Sequence, residues 1–88
     1  MIVWTDYLKY RANLREYSLS TIENILRYSE ERYIDRRTGR SIVIGRHEEQ
    51  LVMIPYDKEG DTMIPVTIHA TNRQQINFRL KSGRFGYE

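Results

Sequence analysis

The sequence predicts an α+β fold in which an antiparallel β-sheet meander packs against helices. Apolar residues in the first third recur three and four positions apart, which is typical of helices. From residue 32 to residue 70, short β-prone runs alternate with polar turns, which is typical of an antiparallel sheet. We therefore expect one domain, residues 1–88, with elements in the order β-α-α-β-β-β-β-α. The helices should cover one face of the sheet and leave the other partly open.

Composition favours a folded protein without disulfides. Hydrophobic residues make up 40% of the chain, charged residues make up 30%, and there is no cysteine. Disulfides, thiolate catalysis and cysteine-based metal sites are therefore excluded. No apolar run is long enough to span a membrane, and the first residues lack the pattern of a signal peptide. We expect a cytoplasmic protein with no membrane contact and no cofactor.

The basic residues are biased towards arginine. Of the 14 basic residues 11 are arginine, and seven tyrosines accompany them. A guanidinium group suits phosphate and stacks on bases, so arginine with aromatic residues is typical of RNA-binding surfaces. The net charge is only +2, because 12 acidic residues oppose the basic ones. Composition alone therefore favours surface ion pairs slightly over an RNA-binding surface.

A short β-prone run at residues 2–4 is the first predicted strand, with Trp4 in the core. The pair Thr5-Asp6 follows and offers an N-cap for a first helix. Residues at helical spacing then predict the buried face of that helix. This stripe consists of Tyr7, Tyr10, Leu14 and Tyr17.

A second helix is predicted from a capping box formed by Ser20 and Glu23. It should end near residues 27–29, and it should pack against the first helix as a helical hairpin. Its apolar face consists of Ile22, Ile25 and Leu26.

Four strands are predicted in the middle of the chain. Turns at residues 36–39, 47–49 and 57–61 separate them. The strand at residues 51–54 is continuously apolar, which predicts a central strand covered on both faces. Pro65 cannot donate to a ladder, so the last strand should lie at an edge or a bulge. The predicted strands span residues 32–35, 41–45, 51–54 and 63–70.

The last strand leads directly into a third helix. From Thr71 to Leu80 the apolar spacing changes from two to four residues, which predicts a helix. Thr71 and Gln74 match another capping box, so Thr71 is the predicted N-cap. Gly83 should stop the helix, and residues 82–88 should form a loose end.

The start of the third helix is the best candidate for a binding site. Backbone N–H groups at a helix N-terminus favour an anion, and His69 and Arg73 flank this one. Since side chains alternate along a strand, His69 should point away from Ile68, onto the open face beside Arg73. We therefore expect His69 and Arg73 to share an exposed site. A strand-end histidine that bonds a backbone carbonyl is an equally good interpretation of His69.

Short motifs spread over most of the chain have the order and content of a known family. Near the start they are Trp4, Lys9, Asn13-Leu14-Arg15, Ser20 and Glu23; in the middle, Arg40, Ile44-Gly45-Arg46, Leu51-Val52 and Gly60-Asp61; near the end, Ala70-Thr71 and Arg73. With these motifs the chain resembles BrnT-type toxins, small ribonucleases of the RelE superfamily that pair with a DNA-binding antitoxin. Related RelE-like domains of unknown function fit about as well. The resemblance implies a RelE/BrnT-like fold, RNA as ligand and an antitoxin protein as partner.

Two positions depart from the pattern of that family. Where its members carry a histidine after the central strand, this chain has Pro55 and Tyr56. Where they carry arginines before the Ala-Thr pair, it has Ile68 and His69. The resemblance therefore implies the fold more strongly than the activity. The alternatives are a catalytically silent RelE-like module that binds RNA or a protein partner, and a small partner-binding protein whose arginines are only surface charge.

A RelE-like toxin cuts RNA without a metal ion, because the ribose 2′-OH attacks the neighbouring phosphate. This chemistry needs a base, cations around the phosphate and an acid. Tyr56 or Lys58 would supply the second proton donor. The candidate catalytic residues are His69, Arg73 and Tyr56, and the candidate RNA- or phosphate-binding residues are Arg46, His47, Arg73 and Arg79.

Most of these candidates also have a purely structural interpretation. For His47 a solvated turn residue is the better interpretation, and Arg46 can pair with a neighbouring glutamate. Tyr56 can be a packing residue. Arg73 opposes the helix dipole unless an anion is bound, so it is the strongest functional arginine. The two histidines lie far apart and without zinc-binding spacing, so no metal is expected.

Overall fold

A computed structural model describes residues 1–87, which form three helices and a six-stranded antiparallel sheet. The predicted α+β class is confirmed. The helices are α1 (Asp6–Leu14), α2 (Leu19–Tyr28) and α3 (Arg73–Lys81). The strands are β1 (Arg32–Asp35), β2 (Arg40–His47), β3 (Gln50–Glu59), β4 (Thr62–Pro65), β5 (His69–Ala70) and β6 (Phe85–Tyr87). The strand order is β4-β3-β2-β1-β6, and β5 also pairs with β3.

The predicted element order is wrong at both ends and in the last predicted strand. Residues 2–4 do not form a strand, and Ile2 makes only a single bridge to β4. The strand predicted over 63–70 is two short strands, because Pro55 and Pro65 lack the N–H donors that would continue the ladder with β3. β4 lies at the edge of the sheet, as Pro65 predicted.

The β2–β3 hairpin forms the centre of the sheet and is apolar on both faces. Val43 belongs to one buried cluster, whereas Ile42 and Ile44 belong to the other. On β3, Val52 belongs to the same cluster as Val43, and Leu51 belongs to the same cluster as Ile42 and Ile44. The prediction of a central strand covered on both faces is therefore confirmed.

Helices cover both faces of the sheet, so the prediction of one open face is wrong. The first cluster is completed by α1 and α2, and the second by Ile76 of α3 and Phe85 of β6. Ile76 is fully buried. The physical reason is the alternation along β2, which places Ile42 and Ile44 on the second face and requires an apolar cover there.

The buried face of α1 is not the predicted aromatic stripe. Tyr7, Tyr10 and Leu14 are 56%, 61% and 57% exposed, and Leu8 and Ala12 are buried instead. Tyr17, the last residue of the stripe, lies beyond the end of α1 and packs against the first cluster. Two residues four positions apart are enough to pack this short helix on the sheet, so its aromatic residues face outward. Trp4 packs against the first cluster and is only partly buried.

The helix caps lie close to the predicted positions but on different residues. Thr5 caps α1 as predicted. Ser18 caps α2 in place of Ser20, and Asn72 caps α3 in place of Thr71. Thr71 belongs to the sheet instead, since its backbone N–H donates to a β3 carbonyl and its hydroxyl donates to Oε1 of Gln75 at 3.2 Å.

The C-terminal segment is an ordered strand and not the predicted loose end, although Glu88 lies outside the described residues. α3 stops before Gly83 as predicted, and the chain returns as β6 to pair with β1. Asp35 anchors it. This carboxylate is 4% exposed and accepts hydrogen bonds from Nε and Nη2 of Arg84 at 3.2 and 3.0 Å. The backbone N–H of Arg37 also donates to it at 3.0 Å.

Asp35→Asn should destabilise the protein by about 1–3 kcal/mol at pH 7, because the hydrogen bonds from Arg84 would lose their charged acceptor. Burial raises the pKa of Asp35, but the hydrogen bonds from Arg84 and Arg37 outweigh it, so the pKa lies below its usual value. The ionised Asp35 carboxylate therefore contributes fully to the stability of the fold at neutral pH. This contribution is lost as pH falls through the pKa that Asp35 has in the folded state. Urea unfolding should show a difference from wild type that shrinks below about pH 4.

The matched control is Asp57→Asn. Asp57 makes the same type of ion pair with Arg40, at 3.2 Å, but on the surface. Loss of this surface ion pair should lower the free energy of unfolding by less than about 1 kcal/mol. Equal effects of the two substitutions at pH 7 would contradict the anchoring role of Asp35.

Candidate functional site

His69 lies at the exposed edge of the sheet, on β5. It stands opposite Met53 in the pairing of β5 with β3. Its Nδ1 is 3.3 Å from Nη2 of Arg11, and the same Nη2 donates to the carbonyl oxygen of Ile68 at 3.2 Å. Because a guanidinium group can only donate, Nδ1 must be the acceptor. The ring is therefore neutral in this arrangement and carries its proton on Nε2.

The positive charges of three arginines act on His69. Partial burial of the ring lowers the pKa of His69, and the charges of Arg11, Arg15 and Arg79 lower it further. The charges that act on the ring all have the same sign. His69 is therefore unprotonated at neutral pH on a positively charged surface. These four residues are called the His69 surface below.

Arg79 connects this surface to the second buried cluster. Its Nη1 is 3.8 Å from Sδ of Met53, the residue opposite His69. Its guanidinium group also lies over the ring of Phe85, 5.6 Å from the centroid. Within residues 1–87 it forms no ion pair with a carboxylate. Its charge therefore remains available to a bound anion.

Arg73 lies in the first turn of α3 and binds Glu31. Its Nη1 and Nη2 donate to the two carboxylate oxygens at 2.5 and 2.6 Å, which holds the pKa of Glu31 below its usual value. In the part of the chain that the structure describes, no hydrogen bond joins Arg73 to His69. Asn72 caps the helix by accepting from the N–H of Gln75 at 2.8 Å. The predicted anion site at the start of this helix thus already has an internal cap and a paired arginine.

Tyr56 is buried in the cluster between the sheet and the first two helices. Its hydroxyl accepts a hydrogen bond from Nη1 of Arg32 at 3.0 Å. Met53, which packs with the second cluster, lies on the opposite face of β3, and His69 is paired with Met53. The structure therefore does not bring Tyr56 to His69.

His47 is buried at the end of β2 and is not a solvated turn residue. Its Nε2 accepts the backbone N–H of Ser18 at 2.8 Å, and its ring packs on Tyr17 with 5.0 Å between centroids. It therefore holds the start of α2 against the sheet. Arg46 beside it is exposed and donates to the backbone carbonyl of Glu49 at 3.3 Å, not to a carboxylate.

Sequence reasoning does not identify Arg11 and Arg15 as site residues. The sequence contains one indication that the two arginines act together. They are four positions apart and therefore share one face of the first helix. Their relation to His69 is not visible in the sequence, since Arg11 and His69 are 58 positions apart. Tertiary structure alone brings these side chains together.

The fold and this site define a small α+β protein with a positively charged surface around a neutral histidine. Comparisons with protein-family models, curated proteins and solved structures give no match. No helix within residues 1–87 is long and apolar enough to cross a membrane. Over the same residues, acidic and histidine side chains do not group in threes that could hold a metal ion.

Proposed function

We propose that the protein is a toxin-like, RelE/BrnT-like domain that binds RNA through the phosphates at the His69 surface. The observation that carries this proposal is the position of Arg11 and Arg79 at the exposed edge strand, where Arg11 contacts His69 and Arg79 contacts Met53, the residue opposite His69. Guanidinium groups bind phosphate oxygens through charge-assisted hydrogen bonds. With Nδ1 occupied by Arg11, the Nε2–H of His69 can donate to a phosphate oxygen as well.

The spacing of the arginines supports a polymer as the ligand. Arg11 and Arg15 are separated by one helical turn, about 6 Å along the axis, and Arg79 comes from a different helix. Because the three arginines come from separate positions on two elements, they suit a ligand that carries several phosphates. The motifs shared with BrnT-type toxins support RNA as that polymer and an antitoxin protein as a second partner.

Cleavage of RNA is a second candidate function, favoured by the unprotonated state of His69. In this reaction the 2′-oxygen attacks phosphorus, the bond to the 5′-oxygen breaks, and a base takes the 2′-OH proton. Arg11 must release Nδ1 before His69 can act as that base. The leaving oxygen also needs a proton, and the hydroxyl of Tyr56 lies on the other face of the sheet. The geometry therefore supports binding better than cleavage.

Arg15→Ala should weaken the binding of a single-stranded oligoribonucleotide several-fold and lower the slope of log affinity against log salt by about 0.7, because one phosphate contact is lost. Arg73→Ala should have a smaller effect, since Glu31 already neutralises that arginine. Fluorescence anisotropy over a range of salt concentrations measures both quantities. Arg27→Ala is the matched control, because it removes a surface arginine that pairs with Glu23 on α2.

A larger loss for Arg73→Ala than for Arg15→Ala would move the RNA site to the start of α3. Unchanged affinity for Arg15→Ala, with RNA still bound, would remove the His69 surface from the interaction. Absence of any RNA binding would overturn the proposed function.

Purified protein should bind RNA without cutting it when EDTA is present, because Arg11 occupies Nδ1 of His69 and the hydroxyl of Tyr56 lies on the other face of the sheet. The measurement is electrophoresis of end-labelled RNA after incubation with wild type and with His69→Ala. Metal-independent cutting that His69→Ala abolishes would contradict this expectation and establish the second candidate, an endoribonuclease. Cutting that survives in the variant would point to a contaminating nuclease.

A further inference from the structure

A second cationic surface lies beside α3. It is a cleft of about 860 Å³ between α3, the start of β6 and the turn that joins β1 to β2. Every charged residue that lines it is an arginine. These are Arg36, Arg37, Arg79 and Arg84, and the group is called the arginine cleft below.

Three of the four positive charges are uncompensated. Arg84 is paired with buried Asp35. Arg36, Arg37 and Arg79 form no ion pair with any carboxylate of residues 1–87. The cleft therefore holds a surplus of positive charge that an anionic ligand would neutralise.

Contacts with the segment between α3 and β6 position the side chain of Arg36. Its Nη1 donates to the carbonyl oxygen of Gly83 at 3.2 Å. Its guanidinium group also lies directly over Gly86, where an added Cβ would come within 2.5 Å of Nη2. The hydrogen bond to Gly83, which also lines the cleft, places the charge of Arg36 at the cleft.

Phe78 adds an aromatic surface to this charge. It lines the cleft and is 70% exposed, although the buried face of α3 is formed by Ile76. An exposed aromatic ring among arginines is the arrangement on which unpaired bases stack in proteins that bind single-stranded nucleic acid. Gln74 also lines the cleft and offers an amide for hydrogen bonds to base edges.

The arginine cleft is continuous with the His69 surface through Arg79. This residue lines the cleft, and its charge also acts on His69. A strand whose phosphates lie at the His69 surface would therefore pass Arg79 and reach the cleft.

We propose that the arginine cleft binds nucleotides of the same single-stranded RNA, with a base stacked on Phe78 and phosphates on Arg36 and Arg37. The proposal rests on the proposed function and adds to it the substrate class, because stacking on Phe78 requires an unpaired base. Double-stranded RNA cannot make this contact, since its bases are stacked on each other.

The test is fluorescence anisotropy with a labelled oligouridylate of about 12 nucleotides, the length of strand that suits a small single-strand site. Phe78→Ala should weaken binding about tenfold or more, and Phe78→Tyr should restore most of it, because a ring of the same size remains. Arg37→Ala should weaken binding several-fold and lower the salt slope. Tyr28→Ala is the matched control, since Tyr28 is an equally exposed aromatic residue (74%) on α2, on the other face of the sheet.

A second probe separates stacking from charge. With a strand of abasic ribose phosphates in place of oligouridylate, Phe78→Ala should have no effect, whereas Arg37→Ala should still weaken binding. Circular dichroism and urea unfolding of each variant exclude a folding defect, which is not expected for these exposed side chains.

Several outcomes would overturn the proposal. If oligouridylate binding is sensitive to Arg15→Ala but not to Phe78→Ala or Arg37→Ala, the cleft is not part of the RNA site and the proposed function stands. If oligouridylate does not bind at all, both the proposed function and this inference fail. Tighter binding to duplex RNA, or to vesicles containing phosphatidylserine, would assign the arginine cleft to another anionic surface.

Discussion

Burial of the β2–β3 hairpin on both faces determines where the other elements of this protein lie. Val43 faces one side of the sheet, and Ile42 and Ile44 face the other, so each side needs its own apolar cover. Residues of α1 and α2 cover the first side, and α3 covers the second. The proposed binding residues lie at the sheet edge and on the outer surface of α3.

The packing of α3 on the second face of the sheet determines where the charged residues of the candidate site lie. Its buried residue Ile76 anchors the helix on the second face, and this places Arg79 beside the β5 edge. Arg11 of α1 approaches the same edge from the first face and bonds His69. Residues from both layers thus meet at one edge, where they form a positively charged surface around a neutral ring.

Periodicity in the sequence predicts which segments form strands and helices, but it does not predict which residues face inward. The predicted turn at 47–49 and the apolar run at 51–54 locate the central hairpin, in which β2 ends at His47 and β3 begins at Gln50. On α1 the aromatic spacing marks the exposed face, because Leu8 and Ala12 form the shorter apolar stripe. β6 is not predicted, because its main anchor is the pair of Asp35 and Arg84, 49 positions apart.

For the candidate site, too, the sequence predicts local structure but not the contacts between distant residues. The sequence predicts His69 on a strand and exposed, and the structure places it there. The sequence does not predict that Arg73 pairs with Glu31, 42 positions away from it. It also does not predict that Arg11 forms a hydrogen bond with His69. The most direct measurement is an NMR titration of His69, free and saturated with oligouridylate. We expect a pKa below the ordinary 6.5 in the free protein and a higher pKa with RNA, because bound phosphates offset the arginines. A pKa at or above 6.5 in the free protein, or one that RNA does not change, would contradict a phosphate site at His69.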